Sequence, residues 1–313
     1  MIAFGPVPSR RLGLSLGINN IVSHKKCSYG CVYCQIGKTH NQTTQPRVFY
    51  EPDVLLMNVE EHLKKLDSTH KPDYLTFVAN GEPTLDKNLG TEIRMLKQFG
   101  IPVAVITNAS VLPNPNVRNN LMEADWVSVK IDSVDETAWR QINRPPATMT
   151  LSDILSAITD FSKNFKGKLH TETMLVKGLN DSPELWKKNA VFIASLNPET
   201  AFLSIPIRPP AEAKVQAVSA EQLAVAWQIY HETGISVELL AGFEGTNTGY
   251  TGNAFEDILN ITAVHPMRQD TMTELLKKDN SSFAVVESLL TLGLIKSMSY
   301  NDKIYYVRQY HVK

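Results

Sequence analysis

Short apolar runs alternate with longer amphipathic stretches along the first four-fifths of the chain. The short runs are bounded by polar or turn-forming residues, which predicts strands, and apolar residues spaced three or four apart in the longer stretches predict helices. The predicted strands cover residues 12–22, 74–79, 102–108, 126–132, 169–176 and 202–207, with 235–240 as a candidate seventh. The predicted helices cover residues 53–66, 87–99, 115–123, 151–164, 183–196 and 220–232.

This regular alternation predicts an α/β fold. Helices of about 10–15 residues between consecutive strands are typical of a parallel sheet with right-handed crossover connections. Parallel α/β folds place their chemistry at the carboxyl ends of the strands, and most polar motifs of this chain fall there. We therefore expect the functional residues directly after the predicted strands.

The end of the chain has a different pattern and predicts a second domain. The predicted elements are three short helices and a hairpin, over residues 255–262, 270–278, 281–292, 294–300 and 304–308. Ser281 is the expected N-cap of the third helix, and Gly293 lies just past its end. Three helices followed by a two-stranded wing resemble a winged helix. The sequence thus predicts domains at residues 1–250 and 251–313, with the glycine-rich stretch 242–253 as a linker or lid.

The predicted winged helix lacks the basic surface of a DNA-binding domain. Between Ser281 and Gly293 its third helix has no Lys or Arg, whereas duplex binding depends on several phosphate contacts from basic side chains. The wing could contact RNA through Lys296, Lys303 and Arg308. A docking module for a peptide, a partner protein or the first domain is an equal alternative.

Composition indicates which surfaces the protein lacks and which cellular compartment suits it. The chain is 43% hydrophobic and 20% charged with a formal net charge of −1, which gives no sign of a nucleic-acid or membrane surface. The first residues lack the features of a signal peptide, and no stretch reaches the roughly 18 apolar residues of a membrane helix. Clustered cysteines in such a chain indicate a reducing compartment, so we expect a cytoplasmic protein. The oligomeric state is left open.

All three cysteines fall within one stretch of eight residues, at Cys27, Cys31 and Cys34. Soft thiolate ligands select iron–sulfur clusters, zinc or cuprous copper. A structural zinc site needs four ligands, so His24 or His40 would have to join the cysteines. A [4Fe–4S] cluster on three cysteines would instead leave one iron without a protein ligand, where a small molecule could bind. The stretch therefore predicts a metal centre, and the open position favours a reaction centre.

The cysteine spacing, CxxxCxxC with the aromatic Tyr33 before the last cysteine, resembles the signature of the radical S-adenosylmethionine (SAM) superfamily. The resemblance implies a partial (β/α)6 barrel over residues 1–250 and a [4Fe–4S] cluster whose open iron chelates the amino and carboxylate groups of SAM. It also implies that an electron from the cluster cleaves SAM to methionine and a 5′-deoxyadenosyl radical, which abstracts a substrate hydrogen. Tyr33 would then lie against the adenine.

Polar residues at the ends of the predicted strands extend the resemblance. Asn80, Gly81 and Glu82, followed by a proline, resemble the superfamily's glycine–glutamate–proline motif, with Asn80 where a second glycine is usual. The resemblance implies that this motif receives the ammonium group of SAM. It also implies contacts with the ribose hydroxyls and the carboxylate of SAM from Thr107, Asn108, Lys130, Asp132, Ser133 and, mid-strand, Glu172. For each residue the alternative is a side chain that only satisfies a neighbour inside the fold.

Three arginines lie near the predicted motifs without an assigned catalytic role. Arg10 and Arg11 precede the first predicted strand. They could bind an anionic substrate, but we expect a solvated pair, because the amino end of a strand lies away from the chemistry unless the segment folds over. Arg144, together with Asn143, follows the fourth strand and could reach the pocket.

A narrower resemblance covers most of the chain. The run from Gly5 through the first predicted strand, and the later Cys-Val-Tyr-Cys-Gln run ending at Gln35, are similar to a group related to the wyosine tRNA-base synthetases. Bacterial members of that group carry a C-terminal winged helix. The wyosine enzymes hold a second iron–sulfur cluster, for which this chain has no further cysteines.

Taken with the resemblance, the sequence predicts a one-cluster radical SAM enzyme that modifies a large substrate, either RNA such as tRNA or a peptide. The C-terminal module would deliver that substrate, and an electron donor such as a flavodoxin or ferredoxin would reduce the cluster. Two alternatives remain. One is an iron–sulfur redox sensor whose winged helix regulates transcription, and the other is SAM-dependent alkyl transfer.

Overall fold

A sheet of eight strands in sequential order is the main element of the computed structural model, which describes residues 2–21 and 24–309. The first two strands pair antiparallel, and every later pair is parallel. The strands are β1 (Ala3–Ser9), β2 (Gly13–Ile18), β3 (Tyr74–Phe77), β4 (Val103–Thr107), β5 (Trp126–Lys130), β6 (Lys168–Met174), β7 (Thr200–Ser204) and β8 (Val237–Leu240). The curled parallel part is the predicted partial barrel, including the candidate seventh strand.

In the described part of the chain, seven α-helices lie in the connections between the parallel strands. They are α1 (Pro52–Lys65), α2 (Leu89–Leu96), α3 (Pro115–Leu121), α4 (Glu136–Asn143), α5 (Leu151–Asn164), α6 (Pro183–Ser195) and α7 (Ala220–His231). Six match predicted helices, whereas α4 was not predicted. Its start depends on the side chain of Asp135, which accepts a hydrogen bond from Ala138 N–H.

Strand β1 corrects the predicted start of the barrel. The sequence placed the first strand at residues 12–22, but the observed β2 ends at Ile18, and Val22 lies outside the described residues. The observed β1 precedes it and contains Pro6 and Pro8, although proline cannot donate to a strand ladder. β1 contains both because it is an edge strand, paired with β2 alone, where a missing N–H on the outer side costs nothing.

The side chains inside the barrel change from aromatic to charged along the strands. At the amino end, His170 is stacked between Trp126 and Phe202, with ring centroids 4.7 and 5.5 Å away. Burial lowers the pKa of His170 to about 4, so the ring is neutral near pH 7 and acts as part of an uncharged floor. Two residues further along the strands, Lys130 and Glu172 pair in register above this floor.

The C-terminal part has its own sheet and apolar core. Its elements are α8 (Ala254–Val264), β9 (Met267–Arg268), α9 (Gln269–Lys278), α10 (Ala284–Thr291), β10 (Ile295–Tyr300) and β11 (Lys303–Arg308), with strand order β10–β11–β9. Three helices and the hairpin agree with the prediction, while the two-residue β9 was too short to predict. Phe4 and Val7 of β1 join this core, which attaches the C-terminal part to the edge of the barrel. The proposed boundary at residue 250 stays a prediction.

The third C-terminal helix begins later than expected. Residue 281 was predicted as its N-cap, but α10 starts at Ala284, and its N-cap Phe283 makes no side-chain capping hydrogen bond. Gly293 follows the end of the helix as predicted, with φ of +64°. Across residues 2–21 and 24–309, we find no helix with the length and apolar character needed to cross a membrane.

Candidate active site

The cysteine stretch is a loop between β2 and α1 that backbone hydrogen bonds hold from two sides. On one side, Lys26 N–H donates to the carbonyl of Asn80 at 3.0 Å, and Glu82 N–H donates to the carbonyl of Lys26 at 2.9 Å. On the other side, Gly30 N–H donates to the carbonyl of Asn143 at 2.9 Å. The loop is therefore fixed between the carboxyl end of β3 and the last turn of α4.

Gly81 permits the contact between the cysteine loop and β3. Its φ is +141°, a conformation essentially restricted to glycine. A Cβ at this position would lie 1.6 Å from the carbonyl oxygen of Lys26, which is not compatible with any real contact. The neighbouring Asn80 is fully buried, and its N–H donates to the side-chain oxygen of Asn19 at 2.8 Å. The predicted glycine motif thus positions the cysteine loop through its backbone.

Each cysteine sulfur lies beside a nitrogen donor from a different part of the chain. The three pairs are Asn108 Nδ2 with Cys27 Sγ at 3.5 Å, Asn143 Nδ2 with Cys31 Sγ at 3.4 Å, and Lys25 Nζ with Cys34 Sγ at 3.0 Å. Burial raises the pKa of the Cys27 and Cys31 thiols to about 12. A metal centre that takes them as thiolates must therefore displace their protons.

The three cysteines line a cavity of about 280 Å³ at the carboxyl ends of the strands. Glu82 lies on the same side of the cavity and is 2% exposed. Its Oε1 accepts hydrogen bonds from Thr107 Oγ1 at 2.6 Å and from both the N–H and the hydroxyl of Thr84, at 3.1 and 2.6 Å. Its Oε2 accepts from Asn108 N–H at 2.7 Å. Burial nevertheless outweighs these bonds and raises the pKa of Glu82.

A buried ion cluster lies further along the cavity wall. The carboxylate of Glu172 accepts from Lys130 Nζ at 3.0 Å, from Ser204 Oγ at 3.0 Å and from the guanidinium of Arg11. Burial alone would raise the pKa of Glu172, but the charges of Arg11 and Lys130 outweigh it and hold the pKa well below its usual range. The expectation that Arg11 is solvated is therefore wrong, because β1 turns back antiparallel and the connection to β2 places it in the barrel.

Comparisons with known proteins show which family the chain belongs to. The family model described as the radical SAM superfamily matches residues 21–185. The chain belongs to the radical SAM superfamily. It is 46% identical over 309 residues to UPF0026 protein MJ1312 of Methanocaldococcus jannaschii, covering 98% of this chain and 96% of that relative.

Solved radical SAM enzymes share the fold. The structure of Streptococcus suis SuiB bound to S-adenosylmethionine aligns with 74% of this chain and 50% of its own, with a TM-score of 0.55 and 10% identity. The crystal structure of a radical SAM methyltransferase from Sphaerobacter thermophilus aligns with 72% of this chain and 66% of its own, with a TM-score of 0.53 and 16% identity. The predicted superfamily, barrel fold and enzymatic nature of the chain are confirmed.

Some predicted site residues of this radical SAM enzyme line the cavity, whereas others are buried behind its wall. The hydroxyl of Tyr33 donates to Asp132 Oδ2, which also accepts from Asn143 Nδ2 at 2.7 Å. Lys130 Nζ lies 5.0 Å from the centroid of the Tyr33 ring. Ser133 Oγ accepts from Asp135 N–H at 3.1 Å, a bond within the turn before α4. Tyr33 and Lys130 line the cavity, whereas Asp132 and Ser133 are buried behind it.

A second ion cluster at the cavity mouth was missed by sequence reasoning. Glu244 lies between the guanidinium groups of Arg10 and Arg208 and the ring of His265. Arg208 Nη1 also donates to Gln35 Oε1 at 2.8 Å, one residue after the last cysteine. The five residues come from five separate segments, so no spacing in the sequence could indicate the cluster. Arg10 was expected in solvent and is instead part of this wall.

The donor set of the radical SAM enzyme fits an iron–sulfur cluster. Three thiols converge on one cavity, and hydrogen bonds to ligand sulfurs of the kind made by Lys25, Asn108 and Asn143 tune cluster potentials. Within residues 2–21 and 24–309, no three His, Cys, Asp or Glu side chains are arranged to bind a single metal ion.

Proposed function

We propose that this radical SAM enzyme holds one [4Fe–4S] cluster on Cys27, Cys31 and Cys34 and cleaves SAM reductively. When bound, the cluster supplies the electron that produces a 5′-deoxyadenosyl radical for hydrogen abstraction from a substrate. One observation carries the proposal. All the cysteines of the chain line the same cavity, and each sulfur has its own nitrogen donor.

We assign SAM to the polar residues on the cavity wall near the cysteines. These are Tyr33, Gly81, Glu82, Thr107, Asn108, Lys130 and Glu172. Because burial raises the pKa of Glu82, a cation beside it would stabilise its ionised form, which matches the ammonium group of SAM. We propose supporting roles for the remaining predicted residues, with Asn80 fixing the turn, Asp132 orienting Tyr33 and Ser133 closing the turn before α4.

We propose a macromolecular substrate, RNA or a peptide, that presents one base or side chain to the cavity. At about 280 Å³ the cavity is near the lower limit of small-molecule sites, so a large molecule would enter only in part. The C-terminal elements adjoin the mouth, because the hydroxyls of Tyr300 and Tyr305 each donate at 2.9 Å to the carbonyls of Pro206 and Ile207. A flavodoxin or ferredoxin is the proposed electron donor.

Anaerobic reconstitution with iron and sulfide tests the proposal. We expect about four irons and four sulfides per chain, and 5′-deoxyadenosine after addition of SAM and dithionite, detected by liquid chromatography with mass spectrometry. Cys27→Ala, Cys31→Ala and Cys34→Ala should each lose the product, because a cluster with two cysteine ligands is not held. Binding of zinc in place of iron would contradict the cluster.

Two other outcomes would favour the alternatives. Failure to form 5′-deoxyadenosine together with redox-dependent DNA binding would indicate a sensor. Transfer of a labelled alkyl group of SAM into the product would indicate alkyl transfer. Each outcome is measured on the same reconstituted protein, so the three functions are separated in one series.

Replacing Lys25 by methionine should make the reduction potential of the cluster more negative by roughly 50 mV. The ammonium group of Lys25 lies 3.0 Å from Cys34 Sγ, where its positive charge favours the reduced, more negative cluster. A difference of about 1 kcal/mol between the two redox states gives a shift of this size in a one-electron couple. A redox titration followed by electron paramagnetic resonance measures it.

Lys38→Met is the matched control for this variant. Lys38 is also close to the cysteines in sequence, but its side chain is 61% exposed and pairs with Glu212 at 3.6 Å. The reduction potential of the cluster in Lys38→Met should equal that in the unmodified protein. An unchanged or less negative potential in the Lys25 variant would show that this ammonium group does not act on the cluster.

A further inference from the structure

The ion cluster around Glu244 holds more positive than negative charge. Among the described residues of this cluster, two cationic side chains, Arg10 and Arg208, face one carboxylate, that of Glu244. Burial lowers the pKa of His265, so this ring is neutral near pH 7 and adds no charge to the cluster. Buried charge without a counter-charge is unfavourable, so this cluster has a deficit of negative charge.

The cluster at the mouth shows the imbalance at atomic level. Glu244, whose side chain is 4% exposed, has its carboxylate 3.9 Å from Arg10 Nε and in direct contact with the guanidinium of Arg208. Burial, with the nearby charge of Arg208 as the next cause, lowers the pKa of Arg10 to about 10, so the guanidinium group of Arg10 stays charged at pH 7. One carboxylate is therefore the counter-ion of two guanidinium groups.

The backbone on either side of Glu244 contains glycines with open space around them. Gly242 and Gly245 flank it, and Gly245 has φ of +101°. Open space surrounds both positions, since a Cβ built on either would meet no atom within 4 Å. Glycine adopts many backbone conformations, so rotation at these two residues could move the carboxylate away from the arginines.

We propose that Arg10 and Arg208 form an anion subsite for the substrate, which binds there through a carboxylate or phosphoryl group that replaces Glu244. In the absence of substrate, Glu244 is the internal counter-ion. Planar guanidinium groups suit both kinds of oxyanion, because paired N–H groups match their geometry. The contact of Arg208 with Gln35 places the subsite next to the cysteine loop. The inference deepens the proposed function, since it gives the chemical class of its substrate.

Calorimetric titration of the reconstituted protein with inorganic phosphate and with glutarate tests the subsite. We expect Glu244→Gln to bind the preferred anion at least about tenfold more tightly than the unmodified protein, because the competing carboxylate is gone. Arg208→Gln should bind it at least about tenfold more weakly. Preference for phosphate would identify a phosphoryl group on the substrate, and preference for glutarate a carboxylate.

Arg94→Gln is the control for loss of an arginine, because Arg94 is 53% exposed and pairs with Glu123 far from the cavity. It should bind the anions as the unmodified protein does. Equal affinity in the Arg208 and control variants, or no anion binding by any variant, would overturn the inference. If Glu244→Gln does not fold, the comparison of Arg208→Gln with its control still decides.

Repeating the titration with saturating SAM separates the substrate from the cofactor. The anion should bind equally well with SAM present, because its subsite is formed by the outer cluster. Loss of anion binding would assign the arginines to the SAM carboxylate and overturn the inference. The purified chain can also be titrated before reconstitution, so a failure of the cluster and a failure of the anion subsite give different results.

Discussion

Replacing Gly81 by alanine is expected to abolish cluster binding while leaving most of the barrel folded. The added Cβ would lie 1.6 Å from the carbonyl oxygen of Lys26, and the φ of +141° is itself unfavourable for alanine. The backbone strain alone costs about 1–3 kcal/mol, and separating the two chains would relieve the overlap. The cysteine loop would then lose its hydrogen bonds to Asn80 and Glu82. Iron content after anaerobic reconstitution measures the effect.

Gly178→Ala provides a matched control for the backbone strain. Gly178 also has positive φ, +75°, but a Cβ there would meet nothing within 4 Å. This variant should lose about 1–2 kcal/mol of stability, the usual cost of a left-handed conformation, and keep its iron. A Gly81 variant that retains about four irons would show that the β3 contact does not position the cysteines.

Replacing Glu172 by glutamine is expected to reduce the free energy of unfolding by about 3–5 kcal/mol, because it leaves Arg11 and Lys130 buried without their shared carboxylate. Glu199→Gln is the matched control at the other end of β6. Glu199 pairs with Lys168 at 3.0 Å, but both side chains are about half exposed, so its loss should cost at most about 1 kcal/mol. Denaturant unfolding at neutral pH compares the two variants.

The difference between Glu172→Gln and the unmodified protein should also depend on pH. The folded-state pKa of Glu172 is depressed, so its stabilisation is fully present above the unfolded pKa of about 4.3. It is lost as the pH falls from there toward the lower folded-state pKa. Unfolding measured at pH 7 and at pH below 4 should therefore show a smaller difference in acid. Equal stability of the variant and the unmodified protein at pH 7 would contradict the role of this ion cluster.

Local sequence was sufficient for most elements of the barrel. The parallel strands from β2 to β8 were predicted as short apolar runs, because most of them are buried on both faces. Six of the seven barrel helices were predicted from apolar positions three or four residues apart. The helix α4 and the two-residue β9 were not predicted. β1 was also not predicted, and only its position at the sheet edge makes its two prolines acceptable.

The residues of the candidate site also divide into those that the sequence predicted and those that it did not. The cysteine spacing and the Gly81–Glu82 motif are contiguous, so the sequence alone indicated the metal centre and the superfamily. Arg11 and Glu172 are 161 residues apart, and Arg208 and Glu244 are 36 apart, with no periodic relation. Such pairs are set by how the edge strand and the mouth segments fold back, and therefore no local pattern could predict them.

The sequence by itself determined the chemistry of this protein, namely three thiols at a fixed spacing, an α/β alternation and the polar strand ends. Only the tertiary structure decided the electrostatics of the cavity, because those depend on distances between residues that are remote in the chain. It showed that Arg10 and Arg11, which were expected in solvent, are part of the cavity wall. It also showed that Lys25, Asn108 and Asn143 donate hydrogen bonds to the cysteine sulfurs. Coulombic and hydrogen-bond energies depend on separation in space and on burial, and neither is set by position along the chain.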